Sequence, residues 1–489
     1  MTGPPPNPTA GVLSLAKPIR TNNITCRLSF NRRYPSVCYY LHKTKKLPVY
    51  FVIIAVPKQI YSLLTGFGQQ GRPFVFTIRS PAIHSAAFST QRRRPSKYHS
   101  APFPVLRIDD QQHREMRIAT LQFAPILGDV EGNIRRANEL LQNGKVLGGV
   151  GIGVDVLKPE ILILPELALT GYNFPSLEAI KPYLESAGKG PSATWARDTA
   201  RRYQCKVCVG YPEVEEAGTS QADGSNSQQE TYYNSLLVVD ENGEVLHNYR
   251  KTFLYYTDET WAAEGDVKRG FRELTLRNSQ EQNSPSTNVA TSFGICMDIN
   301  PYKFQTPFTA WEFANRVLDS KSQLVVISMA WLTSLGREEL DALAGEPEMD
   351  TFNYWIQRFW PLIKKRLRHE VNLDGDDAES GKKTVIVFAN RAGEEPGPEG
   401  TNPVLYAGTS AIIAVTQRPR RPSADGETSA ADKGSGNGSD EDESGDKDAS
   451  PFDVKILCWD MMAATAEGIC FADTTMDPKM VFGLVKASR

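Results

Sequence analysis

A chain of 489 residues, 40% hydrophobic and 23% charged, carries enough apolar material for a protein with a sizeable core, in one large domain or a few average ones. A formal net charge of −2 argues against a nucleic-acid partner, and the densest early apolar run, Val49 to Val56 between Pro48 and Pro57, is too short to span a bilayer. Seven cysteines, an odd number scattered without a regular framework, point to a reducing compartment, the cytoplasm, rather than to a disulfide scaffold.

The near-neutral charge is a sum of opposites. No Asp or Glu precedes Asp109, while Arg92, Arg93 and Arg94 fall in that stretch, so residues 1–115 read as a basic leader without the pattern of a folded domain. Such a leader is either a targeting segment, which makes the mitochondrion the alternative compartment, or sequence upstream of a translation start at Met116. Order begins at Arg117, where alternation up to Pro125 marks a strand. Ile134, Ala137, Leu140 and Leu141 then have the spacing of a buried helix face. The continuous apolar run from Glu160 to Glu166 predicts a strand covered on both sides that ends on a carboxylate.

A helix over Pro191 to Tyr203 and a strand over Lys206 to Gly210 follow, then a polar loop from Glu215 to Glu230. Strands over Ser235 to Asp240 and Glu244 to Arg250 are joined through Asn242-Gly243, a pair that favours a tight reversal. Cys205 and Cys208 form a lone CxxC. In a strand, residues three apart face opposite sides and no second pair follows, so they read as structural cysteines rather than half a zinc site.

The stretch Ser292-Phe293-Gly294-Ile295-Cys296-Met297-Asp298 runs from a β-prone approach into the breaker pair Asn300-Pro301. It therefore presents Cys296 where a strand becomes a loop. A helix near Phe308 to Leu318, a strand from Gln323 to Met329, a helix-spaced aromatic segment from Asn353 to Ile363 and a strand from Thr384 to Arg391 continue the alternation. The aromatic segment reads as core packing ahead of a lid. Residues 418–451 have the Ser, Gly, Asp and Glu composition of a disordered insert, and Phe452 to Leu457 is expected as the last strand of a 452–489 tail. Strands alternating with helices over 116–417 make a layered α/β core.

Three reactive side chains end apolar strands: Glu166, Lys251 and Cys296. Alone, each has a bland reading as a helix cap, a surface charge or a small buried hydrophobe. Strand ends of α/β sheets converge on one crevice, however, and the three types complement one another. A carboxylate takes a thiol's proton and returns it to a leaving amine, while an ammonium stabilises the thiolate and an oxyanion; together they suit acyl transfer from an amide. A Cys/His peptidase is disfavoured, since His247 lies inside a strand and His369 inside a basic helical run.

The blocks Leu164 to Tyr172 (LPELALTGY), Tyr249 to Thr252 (YRKT) and Gly294 to Asp298 (GICMD) resemble, in order, the three signature blocks of the nitrilase superfamily of carbon–nitrogen hydrolases. That resemblance covers about Met116 to Gly408. It implies a four-layer αββα sandwich that needs no cofactor and no metal, with Glu166 as general base, Lys251 as oxyanion-stabilising lysine, Cys296 as nucleophile and the Met297 backbone N–H as second oxyanion donor. ELALTGYNF, NYRKTFLY, PYKF, MAWL and NYWIQRF further resemble the fungal protein N-terminal amidases. These hydrolyse the side-chain amide of an N-terminal Asn or Gln and feed the N-degron route of protein degradation.

That substrate implies peptide partners and no membrane, and it needs a negative charge for the α-ammonium. Asp258, Glu259 and Asp298 are the candidates for that charge, with Trp331 as a pocket wall and Tyr172 as a further substrate-binding side chain. A second, assisting carboxylate is expected at Asp258 or Glu259. The alternatives are a small-molecule ω-amidase or N-carbamoyl amidohydrolase of the same superfamily, and a noncatalytic scaffold on the same fold.

Overall fold

The computed structural model describes residues 115–216, 230–277, 286–343, 345–365, 367, 382–397, 400–419 and 452–486, with short strands before residue 80. Most of the basic leader, the middle of the polar loop, His369 and most of the acidic insert lie outside the described residues. Two units are distinguished, residues 1–78 with 485–489 and residues 79–484. In the first, Lys43–Thr44 pairs antiparallel with Leu47–Pro48, and Phe51–Ile53 with Phe74–Arg79.

The larger unit holds two sheets. The first is built from β1 (Arg117–Gln122), β2 (Ile161–Ile163), β3 (Lys206–Glu215), β4 (Thr231–Val239), β5 (Val245–Arg250) and β12 (Gly468–Asp473), in the order β5-β4-β3-β2-β1-β12. Its centre, β1-β2-β3, is parallel, and the β3-β4-β5 meander and β12 flank it antiparallel. The second contains β6 (Phe271–Leu276), β7 (Thr287–Ile295), β8 (Leu324–Met329), β9 (Lys382–Asn390), β10 (Ala411–Pro419), β11 (Phe452–Met461) and β13 (Met480–Lys486), paired in that order. Here β7-β8-β9 is the parallel centre.

Helices cover the outer faces. Helix α1 (Val130–Asn143) starts at Asp129, whose side chain accepts from the Gly132 N–H, and buries Ala137, Leu140 and Leu141. Helix α2 (Pro191–Tyr203) has Pro at its first turn and buries Ala193, Trp195, Ala196 and Ala200 in the same core as β1, β2 and β3. On the second sheet, α3 (Glu312–Asp319) and α4 (Met349–Arg358) pack through aromatic rings: Trp355 stacks on Phe388 of β9 at 5.0 Å, and Phe313 meets Phe359 edge-on at 6.0 Å. The aromatic segment is therefore core, with Trp355 fully buried. The layers run α, β, β, α. β8 is buried along its whole length, as its mostly apolar sequence requires when both faces are covered.

Of the strands named here, four escaped the sequence reading: β6, β10, β12 and β13. β11 does not close the chain, because the tail beyond it returns to pair β12 with β1 in the first sheet. Cys205 and Cys208 are free and buried, with burial pushing the Cys205 thiol up to about 12. Such thiols behave as core. No helix among the described residues is long and apolar enough to cross a membrane.

Candidate active site

The two sheets meet at the carboxyl ends of their central strands. The Ser328 hydroxyl on β8 donates to the Leu164 carbonyl beyond β2 at 2.9 Å, and the Glu166 N–H reaches the Met329 carbonyl at 3.4 Å. Gly210 on β3 lies under this turn. A Cβ there would come within 2.9 Å of the Glu166 Cα and 2.7 Å of the Leu167 nitrogen, so only glycine lets the strand pass so close.

Glu166 is fully buried. Its Oε1 accepts from Lys251 Nζ at 2.6 Å and Asn234 Nδ2 at 2.7 Å, and its Oε2 accepts from the Ala330 N–H at 2.8 Å. Lys251, one residue past β5 and equally buried, also donates to Asp258 Oδ2 at 2.6 Å. Asn234 closes the ring by donating to Asp258 Oδ1 at 2.9 Å. The ammonium is thus clamped between two carboxylates, and one amide bridges them.

Cys296 follows the last residue of β7 and opens a short 3₁₀ turn, Cys296–Ile299. Its φ of 42° is left-handed, a strained conformation for a side chain with a Cβ and the kind held in place at reactive positions. Only 8% of it is exposed. The Ala330 N–H that holds Glu166 also steadies the sulfur, and Glu166, Lys251 and Asp258 all act on its charge. The three polar strand ends therefore share one crevice.

Burial governs the protonation of this cluster. It pushes the Cys296 thiol well above its ordinary value, the Glu166 charge adds to that, and Lys251 opposes it. Burial likewise raises Glu166 against the pull of Lys251. For Lys251 burial works downward but is overcome by Asp258 and Glu166, so the amine stays protonated. A neutral thiol beside a carboxyl of raised affinity for protons is a donor and acceptor pair awaiting an electrophile.

The remaining expectations divide. Of the two adjacent acids, Asp258 faces Lys251 and is fully buried, whereas the Glu259 side chain is exposed. Asp258 and Asp298 are both fully buried and hydrogen-bonded within the protein. Asp258 also accepts from the Tyr255 N–H at 2.9 Å and the Tyr172 hydroxyl at 3.3 Å. Asp298 is spent on the loops: Oδ1 accepts from the Thr252 and Phe253 N–H groups at 3.0 and 2.8 Å, and Oδ2 from the Tyr249 hydroxyl at 2.8 Å and the Ile295 N–H at 2.7 Å. It ties the lysine loop to the cysteine strand.

Tyr172 is buried, its ring 5.5 Å from the Lys251 ammonium. Trp331 is half-buried against Tyr354 and Trp355 at 5.6 and 6.0 Å, and its backbone N–H donates to Asn390 Oδ1 at 2.8 Å. It can serve as a wall. Met297 follows Cys296 directly, at the start of a turn whose first N–H groups are not consumed within it. His247 is occupied elsewhere, its Nε2 2.8 Å from the Arg269 carbonyl.

Sequence reasoning missed Asn234 and a second buried cluster. In the latter, Glu395 is held by Arg391 and Tyr406 and accepts from the Tyr172 and Asn173 N–H groups at 3.0 and 2.8 Å, fixing the loop after Glu166. For Asn234 the sequence signal is a polar residue at the head of an apolar run, whereas Glu395, in Gly393-Glu394-Glu395-Pro396-Gly397, gives none. Among the described residues no three His, Cys, Asp or Glu side chains are grouped to hold a metal ion.

The carbon–nitrogen hydrolase family model matches residues 117–299. The protein N-terminal amidase of Schizosaccharomyces pombe is 31% identical over 316 residues, covering 62% of this chain and 92% of the relative. The protein N-terminal amidase of Saccharomyces cerevisiae is 26% identical over 432 residues, covering 65% and 90%. A solved N-terminal amidase carrying a Cys-to-Ser exchange is 23% identical and covers 76% of this chain and 98% of that one, with a TM-score of 0.50, a likeness of fold. An αββα sandwich with this kinship makes the chain a member of the carbon–nitrogen hydrolase family and, within it, of the protein N-terminal amidases.

Proposed function

We propose that the protein is a thiol amidohydrolase that converts N-terminal Asn and Gln of peptides and proteins to Asp and Glu, releasing ammonia. Two yeast relatives bear the name protein N-terminal amidase. The N-terminal residues that carry an amide other than the peptide bond are Asn and Gln, so that name and this chemistry select the same two substrates. The single observation that carries the reading is the Lys251 ammonium clamped at 2.6 Å from both Glu166 and Asp258 beside the Cys296 thiol.

In this mechanism the Cys296 sulfur attacks the carboxamide carbon as its proton passes to Glu166. The oxyanion is held by Lys251 and the Met297 N–H. Glu166 protonates the departing nitrogen, the C–N bond breaks and a thioester remains. Glu166 then takes a proton from water, the hydroxide attacks the thioester, and the sulfur leaves and regains its proton. Asp258 and Asn234 hold the lysine and the carboxylate in register. The new acidic N-terminus is the product that would feed an N-degron route, and five free cysteines among the described residues suit the cytoplasm.

Mass spectrometry of a peptide panel tests this. Peptides beginning with Asn or Gln should gain about one dalton with the backbone intact, and their α-acetylated forms should not react. Cleavage of free glutamine-like amides at equal rates would instead favour the small-molecule amidase reading.

A further inference from the structure

A cavity of about 60 Å³ opens between α3 and the strands β5, β6 and β7, and none of the three reactive side chains lines it. Phe313, Arg316, Val317 and Ser320 reach it from one face of α3 and its C-cap, and β7 contributes Ser292 and Phe293. Most of this wall is apolar, but its polar members are donors. The Arg316 Nη2 is buried without a hydrogen-bond partner, and no carboxylate pairs with that guanidinium among the described residues. Its Cζ has only ring faces for company, Phe253 at 5.4 Å and Phe313 at 5.5 Å. The Ser292 hydroxyl lies 2.7 Å from that of Ser322 and 3.3 Å from that of Ser320, and hydroxyls so grouped can rotate to offer a hydrogen to an acceptor.

The rim adds charge of the same sign. Residues 267–272, Val-Lys-Arg-Gly-Phe-Arg, hold three cations and no acid, and Val267 and Phe271 at the mouth are exposed. Such a field gathers anions and repels cations. A buried cationic donor without an acceptor in the protein is costly to keep, and a ligand that brings the acceptor removes that cost. By size the space takes about four to six water-sized groups, enough for a tetrahedral oxyanion and too little for a nucleotide.

We propose that this cavity is a binding site for a phosphate-sized oxyanion, held by the Arg316 guanidinium and the Ser292 hydroxyl. Its place in the fold gives the occupant a structural effect. Tyr249, which also lines the cavity, donates to Asp298 at 2.8 Å, and Asp298 accepts from the Phe253 N–H at 2.8 Å. An anion paired with Arg316 therefore stands one side chain away from the strap between the Lys251 loop and Cys296, and its binding stabilises the folded chain. Nothing in this depends on the amide chemistry, so the two readings stand or fall separately.

Calorimetry and thermal melts of the full chain with inorganic phosphate, at constant ionic strength, test the site. Phosphate should bind saturably and raise the melting temperature, and sodium chloride in its place should do neither. Arg316→Gln should weaken phosphate binding by about tenfold or more, because a charge-assisted hydrogen bond is lost, and should abolish the rise in melting temperature. Gly270→Ala is the second variant. A Cβ there lies 3.6 Å from both the Phe293 carbonyl oxygen and the Tyr249 ring, an ordinary contact, so the chain folds with a methyl group at the cavity wall. That methyl should weaken binding by about threefold or more. Glycerol phosphate is compared with the free ion: tighter binding of either supports the site and says whether an ester or free phosphate is its ligand. No saturable binding to the wild type, an equal response to chloride, or binding that Arg316→Gln leaves unchanged would overturn the proposal. If Arg316→Gln does not fold, Gly270→Ala decides, and undiminished binding to it overturns the site.

Discussion

At the scale of single residues, the clamped ammonium and the buried carboxylates give the sharpest expectations. Cys296→Ala, Glu166→Gln and Lys251→Met should each lower kcat by about 10²-fold or more in an ammonia-release assay, with circular dichroism unchanged. Asp258→Asn should lose activity nearly as far, since it releases one side of the Lys251 clamp, while Glu259→Gln, on an exposed side chain, should stay within about twofold of wild type. The pH dependence has a definite sign. Lys251 holds the Glu166 pKa down against burial, so removing the cation raises it further, and the acid limb of kcat/KM measured on residual Lys251→Met activity should move to higher pH. A limb displaced toward lower pH would contradict that account. The three reactive side chains were legible in sequence because each ends an apolar strand. The role of Asp298 was not, because its partners are mostly backbone N–H groups that no sequence displays, and Asp258 and Glu259 could be told apart only by a 3₁₀ turn that points the first of them inward.

At the scale of elements, α2 and α4 carry buried polar anchors whose energetics can be measured. Glu185 caps α2 by accepting from the Ser192 N–H at 3.0 Å and its hydroxyl at 2.6 Å, yet burial pushes its carboxyl up to about 7. The folded state therefore binds this proton more tightly than the unfolded one. The resulting penalty is absent below about pH 4.5, grows as pH rises and is complete above about pH 7, amounting to at most about 3 kcal/mol. Thermal melts of Glu185→Gln should gain on wild type between pH 5 and pH 8. On the other side of the molecule, the fully buried Arg358 of α4 donates to the Ile299 carbonyl at 2.7 Å and lies over the Phe308 ring at 4.4 Å, bracing the turn that Cys296 opens. Arg358→Leu should cost about 2–4 kcal/mol in urea unfolding, because it leaves buried carbonyls without donors. Helices α1 and α2 were readable from periodicity and from Pro191. β6 was not, since four of its six residues are exposed at a sheet edge, and β12 and β13 lie in a tail whose short strands are interrupted by polar turns.

At the scale of the whole molecule, the register between β10 and β11 places Pro419 opposite Phe452, so the two ends of the acidic stretch lie side by side. Replacing residues 422–449 by a two-residue Asn-Gly turn closes a hairpin that already exists and should leave the melting temperature unlowered and amide hydrolysis within about twofold of the full chain. Loss of folding on that deletion would mean the stretch contributes to the core. Removing everything after residue 465 is the opposite case, because it strips β12 from the first sheet and β13 from the second and uncovers the edge of β1.

The pairing of β12 with β1 also has a consequence in time. β1 is synthesised first in the larger unit, and the strand that covers its outer edge emerges about 350 residues later. At about 5–20 residues per second, a nascent chain on the ribosome carries that open edge for about 20–70 s. Translation pauses late in the message would lengthen the exposure, and a chain stalled before Gly468 should be held by chaperones or aggregate rather than reach the native state.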